Sequence, residues 1–315
     1  MKVALLSGWH VHAKEYGEGI GKAGGKLALV WDDDIKRGEQ LAKELSVPFE
    51  QSLDIVLKNS EIEGVIVTTS TKDHVDIITK AANAKKHIFT EKVLAATVDE
   101  CKEIKRALDM HNVKFCISLP HRTFKANLYI KSLIDNNSLG DVTYLRIRNA
   151  HGGSVQKWLP ARFYNKDEAC GGAMMDLGAH PMYLIRWFLG RPISVTSQFT
   201  EVSGNAIDDN CVSTFAYKNG AIAVSETGFV SPSSRYIVEV YGTKASVIAT
   251  DGDVQLFNDG KWIKPDMSSL EDAPNALSTW VSGSIEFDYS AAQELSEMME
   301  MAYKAHEKRL QYRFS

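Results

Sequence analysis

An aspartate and a histidine four residues apart, Asp176 and His180, follow the glycine pair Gly171 and Gly172. If the segment 171–180 is helical, the two side chains lie on one face within reach of each other. An imidazole beside a carboxylate keeps a defined tautomer and gains basicity, which suits it to take a proton from a hydroxyl near neutral pH. The spacing therefore predicts a site of proton transfer. A simple pair on a helix surface is the alternative.

A second candidate site follows the first apolar run of the chain. The segment 7–13 places Gly8 and Ala13 where a dinucleotide-binding turn has its outer small residues, and His10 replaces the middle glycine. An apolar run precedes this turn and a helical pattern follows it, so we expect the backbone and side chains of Gly8, Trp9, His10, Val11 and His12 to contact a cofactor. His10 and His12 are also a possible metal pair, but no carboxylate or cysteine stands beside them in sequence, so no metal site is expected.

An acidic residue ends the second apolar run, nineteen residues after Ala13. Asp32 at this point can accept hydrogen bonds from ribose hydroxyls and would repel a 2'-phosphate, which favours NAD over NADP. Arg37 could weaken that preference.

Polar residues also follow the next two apolar runs. Thr69, Ser70, Thr71 and His74 come after the run 64–68, where they either contact a ligand or begin a helix. Glu91 and Lys92 end the run 87–90, and an ammonium at that edge can polarise a carbonyl or stabilise an alkoxide. A lysine on the protein surface is the other interpretation.

The elements that must position these residues fall into two halves. Apolar runs at 2–6, 27–31, 64–68, 87–90 and 113–117 alternate with helical patterns, which predicts a doubly wound parallel sheet. After 120, helices near 124–135 and 171–190 precede six β-rich segments between 194 and 258, so a large, mostly antiparallel sheet is expected. We predict an α/β protein with domains 1–119 and 120–315, a long loop at 266–284 and a final helix at 291–307.

Composition excludes several functional classes. The 315 residues include 36 Lys and Arg against 40 Asp and Glu, and the basic residues form no runs, so nucleic acid is not an expected partner. The four cysteines are widely spaced, which argues against a zinc site or a disulfide framework and for thiols in a reducing compartment. The N-terminal apolar run is too short for a signal peptide or a membrane span, so we expect a cytoplasmic protein.

Taken in order, these motifs resemble the glucose-fructose oxidoreductase / inositol dehydrogenase (Gfo/Idh/MocA) family, and the resemblance extends to the segment 241–244, Tyr-Gly-Thr-Lys. The resemblance implies a Rossmann domain followed by an open-sheet α/β domain whose sheet face commonly builds a dimer or tetramer. It also implies that Lys92, Asp176 and His180 form the catalytic set.

In that reading, the protein oxidises a secondary alcohol of a sugar, polyol or related small molecule. His180 removes the hydroxyl proton, Lys92 stabilises the alkoxide, and hydride passes to the nicotinamide. Substrate contacts are expected from the aromatic and basic side chains on the segments that flank the site: His121, Arg122, Trp158, Arg162 and Tyr164.

Three residues depart from the family pattern. Val93 stands where a proline usually follows Glu-Lys, Ser70 likewise replaces a common proline, and Tyr183 stands where an acidic residue is common. Pro181 is a separate feature, because it would kink a helix directly after His180. Because His10 replaces the middle glycine of the fingerprint and Val93 replaces a proline, a catalytically silent, nucleotide-sensing protein of the same fold is the alternative function.

Overall fold

The computed structural model describes residues 1–285 and 287–308. Contacts divide them into two compact units. Of the described residues, the first comprises 1–120, 167–170, 274–285 and 287–296, and the second comprises 121–166, 171–273 and 297–308. Each unit is built around one sheet.

The first unit contains a six-stranded parallel sheet in the order β3-β2-β1-β4-β5-β6, flanked by helices. The order reverses beside β1, as in the doubly wound folds that bind dinucleotides at the carboxyl ends of their strands. Its elements are β1 (Lys2–Leu6), α1 (Ala13–Gly19), β2 (Lys26–Trp31), α2 (Ile35–Glu44), β3 (Phe49–Glu50), α3 (Leu53–Lys58), β4 (Gly64–Val67), α4 (His74–Asn83), β5 (His87–Thr90), α5 (Val98–His111) and β6 (Phe115–Ile117).

The second unit contains an eight-stranded sheet in the order β14-β13-β12-β11-β7-β10-β9-β8. All of its strand pairs are antiparallel except β7 with β10. Its elements from 125 to 263 are α6 (Lys125–Asp135), β7 (Val142–Ala150), α8 (Ala173–Asp176), α9 (Ala179–Leu189), β8 (Ser194–Thr200), β9 (Asn210–Ala216), β10 (Ile222–Gly228), β11 (Ile237–Gly242), β12 (Ser246–Thr250), β13 (Asp253–Asn258) and β14 (Lys261–Ile263). The short helix α7 (Lys166–Ala169) lies between β7 and α8 in sequence, but all of it except Lys166 belongs to the first unit.

The predicted fold class is confirmed, and the differences from the expected elements are mostly short strands and helices, α7 and β14 among them. The short elements β3 and α3 were not expected from the sequence, because two- and six-residue elements carry too little periodicity. The single helix expected at 171–190 is two helices, α8 and α9. The loop expected at 266–284 contains α10 (Ala276–Ser282), which begins at Asn275, whose side chain accepts a hydrogen bond from the Ser278 amide.

The final helix, α11 (Tyr289–Glu307), buries its apolar residues Leu295, Met298, Met299 and Ala302. Met298 and Met299 therefore pack in the protein interior, whereas Met301 on the same helix is exposed. Among the described residues, no helix combines the length and apolar character needed to cross a membrane.

Candidate active site

The turn after β1 is held against the end of β2. The Gly8 amide donates to Asp32 Oδ2 at 2.6 Å, and the Asp34 amide donates to Asp32 Oδ1 at 3.0 Å. Asp32 is fully buried, so these bonds fix its carboxylate at the carboxyl end of the sheet. Gly8 and Asp32, two separately predicted cofactor residues, are thus brought together because β1 and β2 are adjacent parallel strands.

Arg37, from the first turn of α2, covers the same carboxylate. Its Nε lies 2.9 Å from Asp32 Oδ2, and its guanidinium also contacts Asp33 and the Ser7 hydroxyl. Burial opposes ionisation of Asp32, but the hydrogen bonds from Arg37 and the backbone lower its pKa overall. Burial and the contact with Asp32 raise the pKa of Asp33 to about 6. Arg37 therefore stands directly beside the group that would distinguish NAD from NADP.

The two histidines of the turn point toward Glu91. His10 is buried, and its Nδ1 lies 3.6 Å from Glu91 Oε1, while His12 Nδ1 lies 2.8 Å from the same oxygen. The Tyr16 hydroxyl, from α1, also donates to this oxygen and lies 2.8 Å from the Ser118 hydroxyl. Burial alone would raise the pKa of Glu91, but His10 and His12 hold it well below its usual range. His10 is packed inward here, and Val11 is the half-exposed residue of the turn.

Trp9 also lies inside the first unit, and its indole nitrogen donates to Glu168 Oε2 at 2.7 Å. This burial makes Trp9 a packing residue of the turn.

The hydroxyl residues after β4 have different surroundings. The Ser70 hydroxyl bonds to Asp73 at the start of a 3-10 turn, Thr71–Asp73. Thr69 Oγ1 is buried and has no hydrogen-bond partner among the described residues. Such a buried hydroxyl fits a bound polar ligand at this edge of the sheet, because leaving it without a partner is costly.

Lys92 follows β5, and the loop that carries it is held by a buried histidine. His74 Nδ1 lies 2.9 Å from the Val93 carbonyl and 3.2 Å from the Leu94 carbonyl. The peptide bond between Lys92 and Val93 is cis, so this loop has a cis bond without a proline. His74, predicted to contact the cofactor, is thus a support for the backbone next to Lys92.

The segment around Asp176 and His180 is held at its start by Asp208. The amides of Gly172 and Met174 donate to the two oxygens of this half-buried residue's carboxylate, each at 2.9 Å, and the Tyr303 hydroxyl donates to it at 3.0 Å. A Cβ at Gly172 would lie 2.1 Å from the Asp208 carbonyl oxygen, so only glycine fits there. Asp208 therefore satisfies the first amides of α8.

A break between α8 and α9 separates Asp176 from His180. Gly178 lies at this break, where a Cβ would come within 2.4 Å of the Met174 carbonyl oxygen. Pro181 is the third residue of α9, within the first turn, where a missing N–H removes no helical hydrogen bond. The Leu177 carbonyl instead accepts from the His180 amide at 3.2 Å and from Asn149 Nδ2 at 3.3 Å. Pro181 was expected to kink a continuous helix beside His180, but a new helix, α9, begins there instead.

His180 is buried and lies in an aromatic cluster. Its Nδ1 lies 2.8 Å from the Tyr183 hydroxyl, which in turn accepts from the His121 amide at 2.9 Å. The rings of His121 and His180 stack with centroids 4.0 Å apart. Asn127 Nδ2 bonds to the His121 carbonyl and the Tyr236 hydroxyl. Two predicted site residues, His121 and His180, are thus adjacent.

Asp176 is half-buried, and its charge acts on His151. His151 stacks on Phe229, and its burial lowers its pKa overall although Asp176 opposes that change. Asp176 belongs to α8 and Tyr183 to α9, and the Tyr183 hydroxyl is the neighbour of His180 Nδ1 at 2.8 Å.

The remaining predicted substrate residues are spread over the second unit. Trp158 is exposed and contacts His151, and Arg122 lies over the Trp187 ring at 5.3 Å. Arg162 and Tyr164 form part of a 3-10 turn, Ala161–Tyr164, where Arg162 lies 5.9 Å from the Phe163 ring. Arg122 thus supports α9 through a cation–π contact.

A cleft of about 370 Å³ opens beside the aromatic cluster that contains His121 and His180. Its lining is both aromatic and polar, as small hydroxylated ligands require. The residues that line it are His121, Phe124, Lys125, Ala126, Asn149, Tyr236, Asp251 and Gly252. A larger depression of about 640 Å³ near the start of β8 contains none of the predicted site residues.

Sequence reasoning did not single out Tyr16, Asn149 or Asp208 as supports of the site. Each acts on a residue far away in sequence, so no local spacing indicates it. The sequence could have indicated Tyr183 as a neighbour of His180, because it lies three residues later and so on the same helix face.

Two family models match the chain. An oxidoreductase family model with an NAD-binding Rossmann fold matches residues 7–118, and the GFO/IDH/MocA C-terminal domain matches residues 127–248. Together they account for most of both units.

Named relatives and solved structures agree with these models. The scyllo-inositol 2-dehydrogenase (NAD+) of Bacillus subtilis is 28% identical over 251 residues, 76% of this chain and 69% of the relative. The NADP+-dependent scyllo-inositol 2-dehydrogenase IolW of the same organism is 32% identical over 155 residues, 49% of this chain and 42% of the relative. Six curated relatives are matched over only 42% to 61% of their own length. A levoglucosan dehydrogenase in complex with NADH and levoglucosan has the same fold, with a TM-score of 0.85 and 16% identity over 98% of this chain and 97% of that one.

Proposed function

Because the chain belongs to the Gfo/Idh/MocA family of oxidoreductases, we propose that it is an NAD(P)-dependent dehydrogenase that acts on a CH–OH group. The proposed substrate class is a sugar, a polyol or a related small hydroxylated molecule, as in the relatives that are named for inositol and levoglucosan. The observation that carries the proposal is that Gly8, Asp32 and Lys92 follow β1, β2 and β5 of one parallel sheet.

The proposed cofactor is NAD rather than NADP. Asp32 would accept hydrogen bonds from the adenosine ribose, and the buried Thr69 hydroxyl supplies another polar group at the same edge. For a ribose hydroxyl to bind there, Arg37 must give up at least one of its hydrogen bonds to Asp32, since its guanidinium contacts both oxygens of that carboxylate. When bound, the nicotinamide supplies the hydride acceptor or donor.

In the proposed mechanism, His180 Nε2 takes the hydroxyl proton of the substrate, since Nδ1 faces Tyr183. The Lys92 ammonium stabilises the negative charge that develops on the substrate oxygen. Asp176 holds a substrate hydroxyl or orients an imidazole. His121, Arg122, Trp158, Arg162 and Tyr164 stay the proposed substrate contacts, and His121 is the best supported because it stacks on His180.

We also propose a homodimer or homotetramer built on the open sheet face of the second unit. On this face, Arg146 bonds to Glu226 and Glu239, and the apolar residues Val212 and Ile222 are exposed. Light scattering of the purified protein measures the number of subunits directly.

We also propose a cytoplasmic location, and the spacing of the cysteines is the observation that supports it.

The test measures reduced nicotinamide in purified protein supplied with NAD+ or NADP+ and a panel of inositols, anhydrosugars, aldoses and sugar acids. We expect turnover with at least one member, and a loss of about 100-fold or more in kcat for Lys92→Ala and His180→Ala. Lys80→Ala, an exposed lysine on α4, is the matched control and keeps the wild-type rate.

Two results would contradict the proposal. Turnover that survives both substitutions would remove Lys92 and His180 from the mechanism. Cofactor binding in a thermal-shift titration without turnover on the whole panel would instead support a nucleotide sensor.

A further inference from the structure

Three side chains with metal-binding atoms converge in the first unit: His10, His12 and Glu91. Every pair of their candidate ligand atoms lies within 4.8 Å. Both histidines present Nδ1 to the same oxygen, Glu91 Oε1, at 3.6 Å and 2.8 Å. The fold thus supplies the carboxylate that the two histidines lack in sequence, because β5 ends beside the turn that follows β1.

We propose that His10, His12 and Glu91 bind a divalent transition-metal ion of the zinc class. Two imidazoles and one carboxylate are a donor set that Zn²⁺ uses when one coordination position stays open. Metal–ligand bonds of about 2.0–2.1 Å in a tetrahedron put neighbouring ligand atoms about 3.3 Å apart. The two measured distances to Glu91 lie on either side of that value, so small side-chain movements complete the site.

The surroundings of the three residues suit a fixed ligand set. The side chains of His10 and Glu91 are 5% and 2% exposed, and that of His12 is 35% exposed, which leaves a path for the ion and for a water at the open position. Glu91 Oε2 accepts from the Lys92 amide at 2.9 Å, so Oε1 can turn to the metal while Oε2 stays bound. Tyr16 donates to Glu91 Oε1 and orients the carboxylate from the side of α1. Hydrogen bonds of this kind to a ligating carboxylate raise metal affinity.

Metal binding here has a structural consequence that does not depend on the proposed function. Glu91 directly precedes Lys92, and His10 and His12 belong to the turn after β1. An ion that joins these residues would therefore cross-link the ends of β1 and β5. We expect the bound ion to stabilise the first unit by mass action.

The experiment uses the tag-free, full-length protein after removal of metals with a chelator. Isothermal titration with Zn²⁺, and with Co²⁺ followed by visible absorption, should show one saturable site with tetrahedral Co²⁺ bands. His12→Gln and Glu91→Gln should each weaken Zn²⁺ binding at least tenfold. His111→Gln, at the end of α5, is the matched control and should bind as the wild type does.

Circular dichroism of each variant checks that it is folded, and the half-exposed His12 is the substitution most easily tolerated. Absence of a saturable site in the folded wild-type protein would overturn the proposal. Equal Zn²⁺ affinity in the wild type and the folded His12→Gln variant would also overturn it. Neither result bears on turnover with NAD, so this proposal and the proposed dehydrogenase activity fail independently.

Discussion

At the scale of single residues, the structure gives His180 a hydroxyl neighbour, Tyr183. The four-residue spacing predicts Asp176 as a partner of His180, and this stays a prediction. The structure adds that the helix restarts at Ala179 and that the Tyr183 hydroxyl lies against Nδ1. Spacing alone cannot reveal this, because the break depends on the close packing of Gly178 against Met174. The proximity of Gly8 and Asp32, in contrast, follows from strand ends that any doubly wound sheet brings together.

Tyr183→Phe should lower kcat about tenfold or more and leave KM nearly unchanged, because the imidazole loses the hydrogen bond that fixes its orientation. Tyr183→Asp should restore much of the rate. A carboxylate there also stabilises the imidazolium, so the acidic limb of the kcat/KM profile should move to higher pH. Steady-state kinetics against pH make both measurements, with Tyr129→Phe on α6 as the control. Wild-type kinetics in Tyr183→Phe would remove Tyr183 from this role.

Cys170 should react slowly with alkylating reagents although it is only half-buried. Burial raises the pKa of its thiol to about 11, and the nearby Glu100 and Asp167 act in the same direction. The thiolate is the reactive form, so at pH 8 only about 0.1% of this thiol is ready to react. The rate of modification by iodoacetamide, followed by mass spectrometry, should rise about tenfold per pH unit from pH 8 to pH 10. Cys170→Ser should remove the modified peptide, and a rate that levels off below pH 9 would contradict the assignment.

At the scale of elements, the strands and long helices follow the apolar pattern of the sequence closely. The apolar pattern predicts both ends of β1 and both ends of α5 correctly, because a buried parallel strand and a capped amphipathic helix both have strong local signals. The start of α8 has no such signal. Its first amides are satisfied by Asp208, which lies more than thirty residues further along the chain.

Asp208→Ala should lower the free energy of unfolding by about 2–4 kcal/mol, because it leaves the Gly172 and Met174 amides without their acceptor. Asp208→Asn should lower the free energy of unfolding by less, since the amide oxygen of the asparagine still accepts one of these hydrogen bonds. Urea denaturation measures the change, and Asp54→Ala, an exposed residue of α3, serves as the control. A loss no larger than that of the control would show that α8 needs no such cap.

At the scale of the whole molecule, the first unit is completed by a segment from far along the chain. Trp280, on α10, is fully buried and lies against Phe89 of β5, with ring centroids 5.7 Å apart. The Phe287 carbonyl accepts from the Ile117 amide at 2.9 Å, which continues the hydrogen bonding of β6. The sequence pattern did not indicate this because the segment is polar and aperiodic outside the seven residues of α10.

Trp280→Ala should destabilise the first unit by about 3–5 kcal/mol, since it empties a large buried volume beside Gly64 and Phe89. Differential scanning calorimetry should show the transition of that unit moving to lower temperature. Trp262→Ala, on β14, replaces a tryptophan that is 46% exposed and should have little effect. Equal melting temperatures for the two variants would contradict the assignment of Trp280 to the core.

The segment 274–296, which contains α10, is translated long after β6, and this order has a consequence for synthesis on the ribosome. About 150 residues separate the end of β6 from α10, and at about 5–20 residues per second they take roughly 10–30 s to translate. During that interval the nascent nucleotide-binding sheet lacks the tryptophan that covers Phe89 and the backbone partner of β6. The growing chain therefore exposes an apolar surface beside an open strand edge, which is the kind of surface that chaperones bind and that aggregation begins from.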